Sequence, residues 1–353
     1  MKKILKKLIQ FNTISKNSNL ELIDFCKVLF EREGYFIKIM KKGSKANLFA
    51  YKPCLGPRII LSAHTDTVPD NENWKNNPFK LTMLNGRYYG LGVCDMKSFI
   101  AVMLSIAQKT KINNIAFLLT FNEETDFKGA KSINEEVINK YDTIILGEPT
   151  NNNVILGNKG VIAYRMTITG KAGHSSNPNN GESAIEKSAV FINSLQTDFN
   201  EIGQQSDKNF DYPLPSFNIG KIRGGRAINI IADSTVIDFE FRVNNEKQAI
   251  QIESLILSIL KQNNINAKLT ELLRMPPYSM SSDLAESLET AGVKLSKGAS
   301  YCTEASIFNK FTNNIIICGP GDPALAHKPD ECIKIRDIIS YEQIVQKIIK
   351  AVL

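Results

Sequence analysis

The chain contains three histidines, His64, His174 and His327, and none of them sits on an apolar helix face. His64 closes the run Leu61-Ser62-Ala63-His64-Thr65-Asp66, which follows the apolar residues Ile59-Ile60. A short apolar run of this kind reads as a buried strand. Residues two apart on a strand leave on the same face, so His64 and Asp66 point together. A carboxylate beside a ligating imidazole can hold the proton of the second ring nitrogen and fix the tautomer. Further acids stand at comparable places. Glu123-Glu124 follows the apolar run 115–121, Glu148 follows the run 141–146, and Asp95 lies in a loop after Gly90-Leu91-Gly92. Each feature alone fits a solvated turn or a surface residue. As a set, imidazoles with several carboxylates suit a pair of divalent ions better than a closed structural zinc site. An aspartate can bridge two ions, and of two adjacent glutamates one can ligate while the other stays free as a base.

The elements that must position these residues alternate in type. Residues 18–34 read as a helix, with Ser18 and Glu21 in a capping-box pattern and Gly34 as its stop. Strands are expected at 35–40, 46–51 and 58–64, and a hairpin over 78–89 with Asn85-Gly86 as its turn. An apolar helix spans 98–108, a buried strand 115–121, a helix 130–137 and a strand 141–146. This alternation predicts an α/β fold with a mixed, mostly parallel sheet and helices on both faces. Ligands bind outside the carboxyl ends of strands in such sheets, which is where His64, Glu123, Glu124 and Glu148 would converge, with Asp95 entering from its loop.

From residue 161 the pattern changes. Alternating strands are expected at 161–169, 216–222 and 235–242, with a further strand at 267–272 and helices at 182–195 and 247–261. This is a compact α+β module inserted into the first domain. From Asp283 the helix and buried-strand pattern returns, with a strand at 315–318 and a closing helix at 340–352 carrying Ile339 as a staple. The expected organisation is a catalytic domain in two parts, 1–160 and 274–353, around an inserted domain, 161–273.

Six segments carry a resemblance. They are Ser62-Ala63-His64-Thr65-Asp66-Thr67-Val68-Pro69, Gly90-Leu91-Gly92-Val93-Cys94-Asp95-Met96-Lys97, Asn122-Glu123-Glu124-Thr125, Gly147-Glu148-Pro149-Thr150, Gly173-His174-Ser175-Ser176 and Ala326-His327-Lys328-Pro329-Asp330-Glu331. In this order, over about residues 58 to 335, the chain resembles the two-zinc aminoacylase/carboxypeptidase family. The resemblance implies that His64, Asp95 and Glu148 hold one metal ion, and that Asp95 bridges to a second held by Glu124 and His327. It implies Zn2+, or Co2+, as the pair of ions, Asp66 as the partner of His64, and Glu123 as the general base. The inserted module would be the family's lid and dimerisation domain, making a homodimer the expected assembly and bringing His174 to an active site. Asn229 and Arg242 resemble the lid residues that grip a substrate carboxylate. Within the family, the stretch Tyr301-Cys302-Thr303-Glu304-Ala305, followed by Gly319-Pro320-Gly321 and Ala326-His327-Lys328-Pro329-Asp330-Glu331, resembles members that remove an acetyl group from N2-acetyl-L-ornithine, a step of arginine biosynthesis. N-succinyl-diaminopimelate, other N-acyl amino acids and dipeptides are the alternatives. Glu304 would face the substrate ammonium.

Composition sets the remaining bounds. Hydrophobic residues make up 43% and charged residues 22%, as in globular proteins. The net charge of +7 comes from scattered lysines rather than a stripe, so no nucleic-acid partner is expected. Lysines interrupt the apolar residues at the N-terminus, and no run approaches the ~18 apolar residues of a membrane span. Six cysteines without a CxxC pair fit reduced thiols in a cytoplasm. Cys94, beside Asp95, reads as buried filler.

Overall fold

A computed structural model describes residues 1–55, 58–110 and 112–353, with the backbone alone considered for residue 137. The chain divides into two compact units. One comprises Met1–Leu156, Ser279–Ser296 and Thr303–Leu353; the other comprises Gly157–Tyr278 and Lys297–Cys302.

The first unit is built on a mixed sheet. Its order is Phe36–Lys42, Lys45–Tyr51, Ile115–Thr120, Ile59–His64, Thr143–Leu146, Ile315–Ile317, Val154–Ile155, Leu295–Ser296. The four strands from Ile115–Thr120 to Ile315–Ile317 run parallel, and the Lys45–Tyr51 strand joins them antiparallel. All residues of Ile59–His64, Ile115–Thr120 and Thr143–Leu146 are buried, which is why these runs lack polar alternation. The helix Ser98–Lys109 is buried from Ser98 to Ala107, as its uninterrupted apolar composition requires. Phe30 stacks on Phe117 with ring centroids 4.9 Å apart, seating the helix Leu20–Arg32 against the sheet. The closing helix Ile335–Val352 buries Tyr341, Val345 and Ile348, and the Tyr341 hydroxyl donates to the Cys318 carbonyl at 2.6 Å.

Three local expectations change. The helix of residues 20–32 is capped by Asn19, with no side-chain cap bond; Ser18 donates instead to the Ser44 carbonyl, so the capping box does not form. The segment 130–137 is not one helix but two short turns, Lys128–Lys131 and Glu135–Ile138, the second opened by Asn134, which accepts from the Glu136 amide. The closing helix starts at Ile335, one turn earlier than expected, so Ile339 lies within it and is exposed rather than acting as a staple. The hairpin forms as read: Thr82–Leu84 pairs antiparallel with Arg87–Tyr89, and Asn85 and Gly86 take φ of 49° and 70° at the turn.

The second unit is a four-stranded antiparallel sheet in the order Ser216–Gly224, Ser234–Val243, Gly160–Thr169, Ala267–Met275. Alternate residues Ile162, Tyr164, Met166 and Ile168 meet Ile237, Phe239 and Phe241 in one core. The helices Ala184–Asp198 and Glu246–Gln262 contribute Phe191, Leu195, Ile252 and Ile256 to it. Ser183 and Asn245 cap these helices by accepting from the Glu186 and Gln248 amides.

Candidate active site

Parallel pairing decides which residues meet at the carboxyl ends of the strands. His64 is paired with Thr120, so the turn carrying Glu123 and Glu124 begins beside it. Ser62 is paired with Leu146, which carries the chain to Glu148 on the other side. Asp95 arrives from the irregular turn Val93–Lys97, where Asp95 itself has φ −123° and ψ 95°. Gly92, at φ 74°, starts that turn; a Cβ there would lie 2.6 Å from Thr67 Cγ2, so no other residue fits without displacement. His327 sits on a loop at φ 59°.

The centre of the arrangement is Asp95. Its Oδ1 lies 3.0 Å from His64 Nε2 and its Oδ2 lies 3.1 Å from His327 Nε2. His327 Nε2 also lies 3.0 Å from Glu124 Oε1. His64, Asp95 and Glu124 each offer a ligand atom within 4.8 Å of one another, close enough to hold a metal ion. Asp66 holds the turn rather than the imidazole ring. Its carboxylate accepts from the Ser15 hydroxyl at 2.7 Å and from the Glu123 and Glu124 amides at 3.1 and 3.3 Å. The nearest acceptor to His64 Nδ1 is the Asp66 carbonyl oxygen at 3.0 Å, with the carboxylate at 3.8 Å. Ser15, and Glu331, whose carboxylate accepts from the Gly92, Cys94 and Asp95 amides, belong to this framework without being identified from sequence. Ser15 lies 51 residues from Asp66 and carries no motif.

The electrostatics follow from burying many acids together. Burial, and next the neighbouring Glu148, push the Glu123 carboxyl well above its usual range. Burial, and next Asp95, push Glu148 up to about 8. Burial also raises Glu124. Burial alone would raise Asp95, but its hydrogen bonds with His327 and His64 hold it low. Burial pulls His64 down, yet the Asp95 contact overcomes this and leaves it well above the ordinary imidazole value. His327 is pushed up to about 10 by its bonds to Asp95 and Glu124. A cluster of buried carboxylates with two imidazoles is stabilised by a cation, and its oxygen and nitrogen donors suit a borderline divalent metal. The donor set therefore fits such an ion.

Glu304 is also buried in this unit, with Thr120 as a hydrogen-bond partner of its carboxyl and Oε1 without one among the described residues. Burial raises it to about 7. Cys94 is buried, its thiol 3.4 Å from the Asp322 carbonyl.

A family model described as Peptidase family M20/M25/M40 matches residues 60–351. The chain belongs to this family. The resemblance drawn from the six motifs is thereby borne out, as is the fold class, and the chain is a hydrolase of amide bonds. A divalent metal is implied by the same membership and by the ligand cluster. An acetylornithine deacetylase from Buchnera aphidicola subsp. Acyrthosiphon pisum (strain Tuc7) is 35% identical over 372 residues, covering 98% of this chain and 96% of the relative. One from Aliivibrio fischeri (strain ATCC 700601 / ES114) is 33% identical over 310 residues, covering 84% and 81%. Among solved structures, a tripeptidase from Staphylococcus aureus matches with TM-score 0.81 at 23% identity, covering 99% of this chain and 97% of the other. The M20 fold thus extends over nearly the whole chain.

The other expected site residues of this M20 chain lie in the second unit. His174 and Asn229 are brought together: the Ser175 amide donates to the Asn229 carbonyl at 3.1 Å, and the Ile231 amide donates to the Gly173 carbonyl at 2.9 Å. His174 Nδ1 accepts from the Ser176 amide at 3.2 Å and faces the Ser176 hydroxyl at 2.7 Å. An amide can only donate, so the ring proton resides on Nε2. Arg242 is half-buried on its strand and donates through Nε and Nη2 to Glu240 at 3.1 and 2.9 Å. Among the described residues no helix is long and apolar enough to cross a membrane.

Proposed function

We propose that the chain removes the acetyl group from N2-acetyl-L-ornithine, releasing acetate and L-ornithine, in arginine biosynthesis in the cytoplasm. The observation that carries the chemical part is Asp95, with one carboxylate oxygen toward His64 and the other toward His327. The substrate assignment is supported by relatives named acetylornithine deacetylase that cover almost the full length.

The proposed ligand sets are His64, Asp95 and Glu148 for one Zn2+, and Asp95, Glu124 and His327 for the other, with Co2+ as an alternative metal. When bound, such ions supply Lewis-acid polarisation and make water acidic enough to act near pH 7. Glu123 stays outside both sets. Burial, and next the Glu148 carboxylate, raise its affinity for a proton, as a general base and then acid requires. It takes a proton from the attacking water and returns it to the leaving amine. Asp66 keeps Glu123 and Glu124 oriented by accepting from both of their amides. The Gly157–Tyr278 unit is proposed as the lid and dimerisation domain. His174, with its proton on Nε2, serves as a donor to the oxyanion, a type of contact worth ~3–4 kcal/mol where it has been removed. Asn229 and Arg242 bind the substrate carboxylate, and Glu304 binds the side-chain ammonium through Oε1, which has no partner among the described residues. A homodimer is supported by Ile185 and Val190, exposed on the helix Ala184–Asp198, and by Ile222, exposed on the edge strand Ser216–Gly224.

The test is hydrolysis of N2-acetyl-L-ornithine against N-succinyl-diaminopimelate by metal-free protein titrated with zinc. Metal-dependent release of ornithine, much faster than release of succinate, is the expected result. Faster succinate release would replace the substrate while keeping the site. For Glu304, the Glu304→Gln variant should lose discrimination between N-acetyl amino acids with and without a side-chain ammonium; unchanged discrimination removes it from the substrate site.

A further inference from the structure

Glu331 has no task in the mechanism above, yet its side chain is 2% exposed. The buried Lys97 ammonium feels its charge but donates to the Phe11 carbonyl at 2.9 Å. The Glu331 carboxylate is filled by backbone instead. Oε2 accepts from the Gly92 amide at 2.7 Å, and Oε1 accepts from the Cys94 amide at 2.7 Å and the Asp95 amide at 3.0 Å. The Gly90 amide donates to the Glu331 carbonyl at 3.2 Å. Amides converging on one anion make charge-assisted bonds that fix the path of a loop. The path needs fixing, because Asp95 and Met96 depart from helical geometry inside the turn and regular secondary structure does not hold them.

The other end of the same segment carries His327. Between them, Asp330 accepts through Oδ1 from the Lys75 and Asn76 amides at 3.1 and 3.2 Å. After them, Cys332 pairs antiparallel with Tyr89, which sets Glu331 beside the chain entering the Asp95 turn. Five residues, His327 to Glu331, thus present a candidate ligand and grip the turn that presents Asp95.

We propose that Glu331 is the positioning residue for Asp95: its carboxylate orients the Asp95 turn so that Asp95 stands between the two ion sites, in step with His327. The proposal rests on the reading of Asp95 as a shared ligand. Glu331→Gln keeps one acceptor oxygen but turns an amide group toward backbone N–H groups, so at least one of the three bonds is lost.

The experiment is calorimetric titration of Zn2+ into metal-free protein for wild type, Glu331→Gln, Glu331→Asp and Asp95→Asn, with thermal melting of each metal-free form. Glu331→Gln should bind zinc 10–100-fold more weakly. Glu331→Asp, with the charge kept but the reach shortened, should fall between it and wild type. KM at saturating metal should stay near the wild-type value. If Glu331→Gln lowers only the melting temperature and the folded protein binds zinc as wild type does, Glu331 is structural and the proposal is overturned. If Glu331→Gln does not fold, Glu331→Asp decides by the same criterion. If Asp95→Asn binds zinc like wild type, the shared-ligand reading fails and takes the proposal with it. If Asp95→Asn loses zinc while the Glu331 variants do not, the proposal alone fails.

Discussion

His64 and His327 face the same aspartate from opposite kinds of structure. His64 ends a strand inside a parallel sheet, and its side chain is 1% exposed. His327 rides on a loop in a left-handed backbone conformation, and its side chain is 51% exposed. Their distances to Asp95 differ by only 0.1 Å, 3.0 against 3.1 Å. Similar geometry is therefore reached by two routes. The strand side is held by ladder pairing and an apolar core around it. The loop side is held by a few polar contacts, chiefly those of Asp330 and Glu331. Disturbing the first should cost stability as well as metal; disturbing the second should cost less stability for a similar loss of metal.

The largest effect belongs to Glu123 on the strand side. Glu123→Gln removes the proposed proton carrier but none of the proposed ligands. The turnover number should fall by ~10²–10⁴, the range for a positioned acid–base group, while metal content stays at the wild-type level. Metal loss accompanying the rate loss would move Glu123 into the ligand set.

The two histidines test the comparison directly. His64→Ala and His327→Ala should both lower metal affinity by at least the tenfold seen when a group that merely orients a ligand is lost. Scanning calorimetry of the metal-free proteins should separate them. His64→Ala opens a cavity and leaves Asp95 Oδ1 without its buried partner, a loss of ~1–3 kcal/mol. His327→Ala also takes a partner from Asp95 and Glu124, but its half-exposed ring leaves no buried cavity, so it should lose less stability than His64→Ala. Equal melting temperatures would erase the distinction between the two sides.

Asp66→Asn is expected to follow. Three donors, the Ser15 hydroxyl and the Glu123 and Glu124 amides, converge on its carboxylate. An asparagine offers one acceptor oxygen and would lose at least one of them. Metal affinity or kcat/KM should drop 10–100-fold. A drop confined to stability would make Asp66 part of the core framework and nothing more.

How far the site was legible follows the same division. His64, Glu123, Glu124 and Glu148 could be read because each follows an apolar run, and a strand end is a local signal. The parallel sheet could be read from alternation. The contacts that tune the site could not: Ser15 reaches Asp66 across 51 positions, and Glu331 reaches the Asp95 turn across 236 to 239. Nothing local in Pro329-Asp330-Glu331 says that the glutamate turns inward onto backbone amides. Helix ends misled for a related reason. Ser340 looked like a start, but it lies inside the closing helix and accepts from Asn152 at 2.8 Å. A partner distant in sequence had decided its role.

A last comparison sets two buried glutamates side by side, each pushed up to about 7 by burial. Both oxygens of Glu331 are occupied by backbone amides, whereas Glu304 Oε1 has no partner among the described residues. For Glu304 the folded value lies above the unfolded one, so the folded state binds the extra proton between about pH 4.5 and 7. Stability of the metal-free protein should therefore fall as pH rises through that window and level off above it, by at most ~3 kcal/mol. Glu304→Gln cannot ionise, so its melting temperature should lose this component of the slope and exceed that of the wild type at pH 8. Glu331→Gln starts from the same raised value but breaks satisfied bonds, so it should not gain stability at pH 8. A wild-type slope retained in Glu304→Gln would mean that another buried acid carries it. A stabilised Glu304→Gln that also loses discrimination for the substrate ammonium would identify Glu304 as a carboxylate kept for recognition at the expense of stability.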